Sequence, residues 1–379
     1  MARRVFWAEV GVVAAMQAAI ALMWLVYRLY IGNLLNQLGV GAAVALVLFR
    51  VEDLLTIAIE PICGGISDRL RFSLGVRMPL IWAGVLAAVG LFMLIPTLRL
   101  TGLGVGLILL WAIAMAVFRV PAVALLANCA DPQKLPQANS WLTLSSAVVG
   151  GVRPWVTSLI LGLGAPVAFG LASLSLLSVA GYLSWADQRS PLLVDNSEPK
   201  SGAWWSPLVL AQLLAMGLGF GWGVRLTLAQ VLPRLLPENS SALGFSLFFG
   251  AMGLAGIAIA KITPGSKESQ GFWLVWSTVA AAICLINLGL WLEWLPRLFF
   301  GLLLTISLGI LFNGMIPWVI GLMPQTVGLA IGVYSAGIGI ANFGANWLIP
   351  NLVTEWQLIV PSGLAALSWL VLGLVVGMR

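Results

Sequence analysis

Arg50, Glu52, Asp53 and Glu60 crowd one apolar stretch, VLFRVEDLLTIAIEP, and are the residues whose types and spacing could do chemistry. On a helix, Arg50 and Asp53 are three apart and can meet on one face. Glu52 is rotated about 200° from Arg50 and must face elsewhere, towards another basic helix. Other apolar stretches hold Arg28, Arg119, Arg153 and Arg225, and Glu9 stands near the start of the first. Charged groups in such surroundings either pair statically with one another or line a path for a solute, a cation or a proton. For Glu9, Arg28 and Glu60, near helix ends, static pairing or snorkelling to the interface is the expectation. For Arg50, Asp53, Arg153 and Arg225, which lie deeper, a role in lining a cavity is expected.

Other chemistry is excluded by what the chain lacks. There is no histidine, which removes Ser-His-Asp and Cys-His catalysis and histidine metal sites. The three cysteines, Cys63, Cys129 and Cys284, are far apart and form no CxxC, so they read as small apolar packing residues. No nucleotide motif appears, and Glu52, Asp53 and Glu60 have no recognised catalytic spacing. The expectation is a non-enzyme without metal or cofactor, with H+ or Na+ as the possible coupling ion.

Membrane helices must position these charges. Of 379 residues, 61% are hydrophobic and only 8% charged, and the mean hydropathy is +1.04. A soluble domain is nearer 25% charged. A crossing of the hydrocarbon core takes roughly 20 residues, so about twelve fit. They are expected at 5–30, 38–65, 78–97, 102–127, 138–163, 166–185, 205–235, 242–262, 271–292, 297–321, 326–349 and 358–378. The first is too long for a signal peptide and no cleavage site follows it. With the N-terminus cytoplasmic, eleven basic residues fall on the inner side, among them Arg69, Arg71, Arg77 and Lys261, and three on the outer. That bias fits the positive-inside rule and explains the net charge of +6 without nucleic acid, since no basic run occurs.

The longest polar stretch, DQRSPLLVDNSEPKSG from Asp187, falls between spans six and seven. It divides the chain into an N-terminal bundle (1–186), a cytoplasmic linker (187–203) and a C-terminal bundle (204–379), with both termini cytoplasmic. At an offset of 192 residues, Gly64 meets Gly256, Arg69 meets Lys261 and Pro132 meets Pro324. Parallel six-helix halves of this kind occur in one class of secondary transporters.

The segment after span two carries the most specific pattern. Glu60-Pro61-x2-Gly64-x3-Asp68-Arg69-x-Arg71-x3-Gly75-x-Arg77-x-Pro79 resembles the signature loop between helices two and three of the major facilitator superfamily. Its spacing is more similar to the glycoside-pentoside-hexuronide and sucrose transporter branches. Gly64 lets helices approach, Asp68 can accept from a helix N-terminus and pair with arginine, and Gly75 allows a tight turn. The resemblance implies a latch on the cytoplasmic face, made in one alternating-access state and broken in the other. Arg119-x-Pro121-x2-Ala-Leu-Leu-Ala-Asn128 resembles the helix-four region of the same branches, with Asn128 where an acid is usual. Gly328-x3-Gly332-x-Tyr334 with Gly337-x-Gly339 resembles the start of helix eleven and suits close packing. Arg50-x2-Asp53 resembles helix two of sodium-coupled melibiose-type carriers, whose second acid lies closer than Glu60 does here.

The fold expected is therefore an all-α membrane protein of twelve transmembrane helices in two parallel six-helix halves. The function expected is ion-coupled transport of a small organic solute, sugar-like by the resemblance, by a monomer in a bacterial cytoplasmic membrane. Arg50, Glu52, Asp53, Arg119, Arg153 and Arg225 are the candidates for binding and coupling; Glu60, Gly64, Asp68, Arg69, Arg71, Gly75 and Arg77 are those for the gate. The alternative is a transporter-fold protein that binds pigment, lipid or a membrane complex during assembly. Of the tryptophans, Trp24, Trp111, Trp141, Trp155, Trp222 and Trp318 lie deep enough to stack on a flat ligand, or to pack against lipid and neighbouring helices.

Overall fold

Every apolar stretch becomes a helix. The computed structural model describes residues 7–74, 77–97, 101–189, 206–236, 241–262, 266–291, 293–352 and 358–378. Its long helices are α1 Trp7–Gln37, α2 Ala42–Leu74, α3 Met78–Leu94, α4 Thr101–Ala124, α5 Leu135–Gly162 and α6 Ala165–Arg189 in the first half. The second half holds α7 Pro207–Leu226, α8 Ser241–Ile262, α9 Lys267–Leu290, α10 Trp294–Leu322, α11 Val327–Leu352 and α12 Ile359–Gly377. Helix α7 is prolonged by a π-helical turn, Thr227–Val231, and one more turn, Leu232–Leu235. Proline in the first turn starts α3, α5 and α7, where its missing N–H costs nothing. Glycines at positive φ, Gly39 and Gly164, reverse the chain after α1 and α5.

Eleven of these helices are long and apolar enough to cross a membrane. The twelfth, α2, is 33 residues long, and it is set apart by charge, since Arg50, Glu52 and Asp53 fall together in its most apolar stretch. The chain is thus a multi-pass membrane protein. Connections alternate between two sides. The side bearing the α2–α3 connection is called the motif side below.

Packing repeats between the halves. In the first, α1 packs on α5 and α6, α2 on α4, and α3 on α4 and α6; in the second, α7 packs on α11 and α12, α8 on α10, and α9 on α10 and α12. Adding six to each helix number converts the first set into the second, as parallel repeats require. The contacts between halves obey the same symmetry. Helix α2 against α11 answers α5 against α8, and α4 against α11 answers α5 against α10.

Small residues make the closest of these seams possible. A Cβ on Gly332 of α11 would stand 2.5 Å from the Glu60 carbonyl oxygen and 2.8 Å from the Pro61 Cα of α2. On another face of α11, a Cβ on Gly337 would stand 2.8 Å from the Leu218 nitrogen of α7. One glycine-rich helix therefore touches its own half and the opposite half at backbone distance, the use expected of the Gly328–Gly339 pattern.

Two expected boundaries move. The segment after residue 65, expected as a loop, stays helical to Leu74, with the Arg71 guanidinium 6.0 Å from the Phe72 ring. Helix α1 runs past Tyr30 to Gln37, because Asn33, Asn36 and Gln37 sit on exposed turns where their side chains cost little. The expected linker, 187–203, lies almost wholly outside the described residues, and so does Gly75.

Candidate functional site

The first site is a charge cluster shared by α1, α2 and α7. Its foundation is a set of packed rings. Tyr27 lies 4.6 Å from Trp111 and 5.7 Å from Trp24, and Trp111 stacks on Phe92 at 5.1 Å, which stacks on Phe169 at 4.2 Å. This aromatic core ties α1 to α3, α4 and α6 and fixes Tyr27, whose hydroxyl donates to Glu52 Oε1. Glu52 is 6% exposed, so that phenol takes the place of water as its donor.

Arg28, the next residue on α1, is exposed and holds its guanidinium 5.7 Å from the Trp24 ring centroid, within cation–π range. It acts electrostatically on Glu52 and on Arg225 of α7. Arg225 also feels Asp53. Arg28 and Asp53 from one half thus lie within electrostatic range of Arg225 from the other.

Arg50 and Arg153 stand nearby in level and orientation. At 1.5 Å per residue from the motif-side helix ends, Arg28, Asp53, Arg153 and Arg225 all lie about 27–32 Å along the bundle. Arg50 is half-buried and shares a helix face with Gly64 and Asp68, which meet α11. The expected pairing of Arg50 with Asp53 is not formed: Arg50 makes no ion pair among the described residues, and Asp53 turns towards Arg225 instead. Arg153 is exposed on α5, on the face of the buried Leu142 and Ile160, and Ile160 accepts from Tyr30 of α1 through its carbonyl.

Arg119 lies elsewhere. Its guanidinium donates to Glu60 Oε1, joining α4 to α2 within one half. The Glu60 side chain is fully buried while Arg119 retains 31% exposure. The structure therefore joins a residue expected in the binding set to one expected in the gate.

The second site gathers the residues expected to form the gate. Asp68 Oδ1 accepts from the Gly328 N–H at 2.9 Å and Oδ2 from the Leu329 N–H at 2.8 Å, the first turn of α11 in the opposite half. Arg77, just before α3, donates to Asp68 Oδ1 at 2.7 Å. Burial pushes the Arg77 guanidinium down to about 10, against the pull of Asp68 beside it. A carboxylate at a helix N-terminus completes the free N–H groups and matches the dipole. Gly64 packs directly on the Gly328 carbonyl and permits the approach. Arg69 is exposed, and Arg71 lies within electrostatic range of Asp68 and Arg77.

A further seam contact carries no charge. Asn139 of α5 donates to the Asn313 carbonyl of α10 at 2.8 Å, and Asn313 donates to the Gly256 carbonyl of α8 at 3.3 Å. Of the deep tryptophans, Trp24 and Trp111 belong to the charge cluster's support, whereas Trp141 and Trp155 are 46% and 59% exposed.

The architecture is thus two six-helix repeats, with a charge cluster near their interface and a carboxylate of one half capping a helix of the other. No protein-family model and no curated protein sequence matches the chain. Solved structures do. A bacterial homologue of the iron transporter ferroportin in its outward-facing state, soaked with iron, matches with TM-score 0.72 at 16% identity over 97% of this chain and 98% of that one. A human organic anion transporter matches with TM-score 0.65 at 16% identity over 96% and 99%. The proton:xylose symporter of the major facilitator superfamily matches with TM-score 0.68 at 13% identity over 97% and 94%. The chain has the major facilitator fold.

Proposed function

We propose that the chain is a secondary active transporter, moving a small organic solute by alternating access of its halves and coupling that movement to H+ or Na+. One observation carries this reading: Asp68 of the first half caps the N-terminus of α11 in the second. Its bonds exist only while the motif side is closed, so they form a device that opening must break. The charge cluster supports the same reading, since Arg28 and Asp53 act on Arg225 across the halves. Asp53, with Glu52 beside it, is the proposed seat of the coupling ion. Bundles 1–186 and 204–379 rock about this level, with 187–203 as their tether. The excess of basic residues on the motif side supports reading that side and both termini as cytoplasmic, in the cytoplasmic membrane of a bacterial cell, and the reading needs only a monomer because each half lines the site.

The neighbours of this fold carry iron, organic anions or xylose by their descriptions, so they leave the solute open. The test is flux in liposomes containing the purified chain, with H+ or Na+ gradients imposed in either direction. Gradient-driven uptake, reduced by Asp53→Asn, is the expected result. A folded protein that carries no solute under any gradient refutes the reading.

A further inference from the structure

The charges inside the spans do not balance. Around the cluster five arginines, Arg28, Arg50, Arg119, Arg153 and Arg225, face three acids, Glu52, Asp53 and Glu60, because the fourth acid within the spans, the buried Glu9, stands in the first turn of α1, about 28 Å from Arg28. Glu60 is taken by Arg119. Glu52 accepts from Tyr27 and lies in the field of Arg28, and Asp53 lies in that of Arg225. Arg50 and Arg153 are left without an ion pair among the described residues. They stand near the level of the cluster, on faces turned to the opposite half and to the bundle interior. The Trp24 indole N–H, under the Arg28 guanidinium, also has no acceptor among the described residues.

An uncompensated guanidinium within a span is costly. Guanidinium is also the group best suited to hold carboxylate or phosphate by paired hydrogen bonds. From this surplus of two positive charges we infer that the transported solute is an organic anion, its carboxylate or phosphate held between Arg28, Arg50 and Arg153 of the first half and Arg225 of the second. The inference rests on the transport reading and gives it a substrate class. A neutral sugar would leave the surplus in place; an anion removes it on binding. Because Arg225 moves with the other half, an anion held from both sides also draws the halves together.

The test uses matched probes that differ in charge: glucose, glucuronate and glucose 6-phosphate, together with succinate and its neutral diamide. Thermal unfolding of the full chain in detergent is measured with each, then flux in liposomes. The expected result is stabilisation by an anion and not by its neutral partner, the glucuronate and phosphate arms showing which anionic group is preferred. Arg153→Gln and Arg28→Gln should each weaken that binding roughly tenfold or more, while Lys261→Gln, at the exposed end of α8, leaves it unchanged. Equal stabilisation by neutral partners, or none by any anion, overturns the inference. Flux of a neutral solute in that same experiment would leave the transport reading standing, and the two failures are thereby told apart.

Discussion

Replacing Asp68 with Asn should open the motif side without unfolding either half. Asp68 receives three hydrogen bonds, from Arg77 at 2.7 Å, the Gly328 N–H at 2.9 Å and the Leu329 N–H at 2.8 Å. Arg77 belongs to the same half and stays with residue 68 in both states, so only the two bonds to α11 bear on the equilibrium. Bonds to a charged acceptor contribute about 1.5–3 kcal/mol each, and a neutral one about 1 kcal/mol. An asparagine retains one neutral bond to α11 and loses the favourable charge at the helix N-terminus. The net loss is about 2–5 kcal/mol, or about 30- to 4,000-fold in the ratio of closed to open.

The assay is the distance between spin labels at Gln133 and Gln325, exposed residues of the α4–α5 and α10–α11 connections on the motif side of opposite halves. Cys63, Cys129 and Cys284 are buried and need no replacement before labelling. The closed distance should dominate in the parent chain and give way to a longer one in Asp68→Asn, in which thermal unfolding also falls because the buried Arg77 loses its counter-charge. Gly328→Val should act in the same direction by steric means, since a Cβ there stands 2.5 Å from the Gly64 carbonyl oxygen and 2.9 Å from Asp68 Oδ1. Superimposable distance distributions in the parent and both variants would refute the latch.

Glu60→Gln removes the counter-charge of Arg119 while Arg119 stays part-buried; a loss of about 3–5 kcal/mol is expected from a half-broken buried pair, and Glu60→Gln with Arg119→Gln should recover part of it in thermal unfolding. Tyr27→Phe leaves Glu52 without its phenol donor and should cost about 1–3 kcal/mol in the same measurement, whereas Glu52→Gln, still able to accept, should cost less. Gly337→Val forces a side chain onto the Leu218 nitrogen within the second half. It should destabilise that half by about 1–3 kcal/mol, without the change in label distance that Gly328→Val produces, and an altered distance would show that the two faces of α11 are not independent.

The two behaviours of α11 show which part of the molecule was legible in the sequence. Spans are a property of composition along one helix, so the twelve helices follow from apolar runs, and even charged α2 falls where its flanks require. The glycines of 328–339 announce close packing because a missing side chain is itself the signal. Which neighbour each glycine meets is a property of the fold: Gly332 approaches α2 and Gly337 approaches α7, five residues apart on one helix. The chemistry of Asp68 was equally legible, yet its partners lie 260 and 261 residues away. Arg77 rather than Arg69 is its cation because α2 stays helical to Leu74, which turns the exposed Arg69 away and brings the start of α3 under the carboxylate. Arg28 was hidden for a related reason. Seven residues of helix beyond Tyr30 convert an apparent helix end into the interior of α1, and a side chain expected to snorkel stands instead within electrostatic range of both Glu52 and Arg225. Polar residues near a span's end therefore carry two meanings, and the length of the helix beyond them decides which one holds.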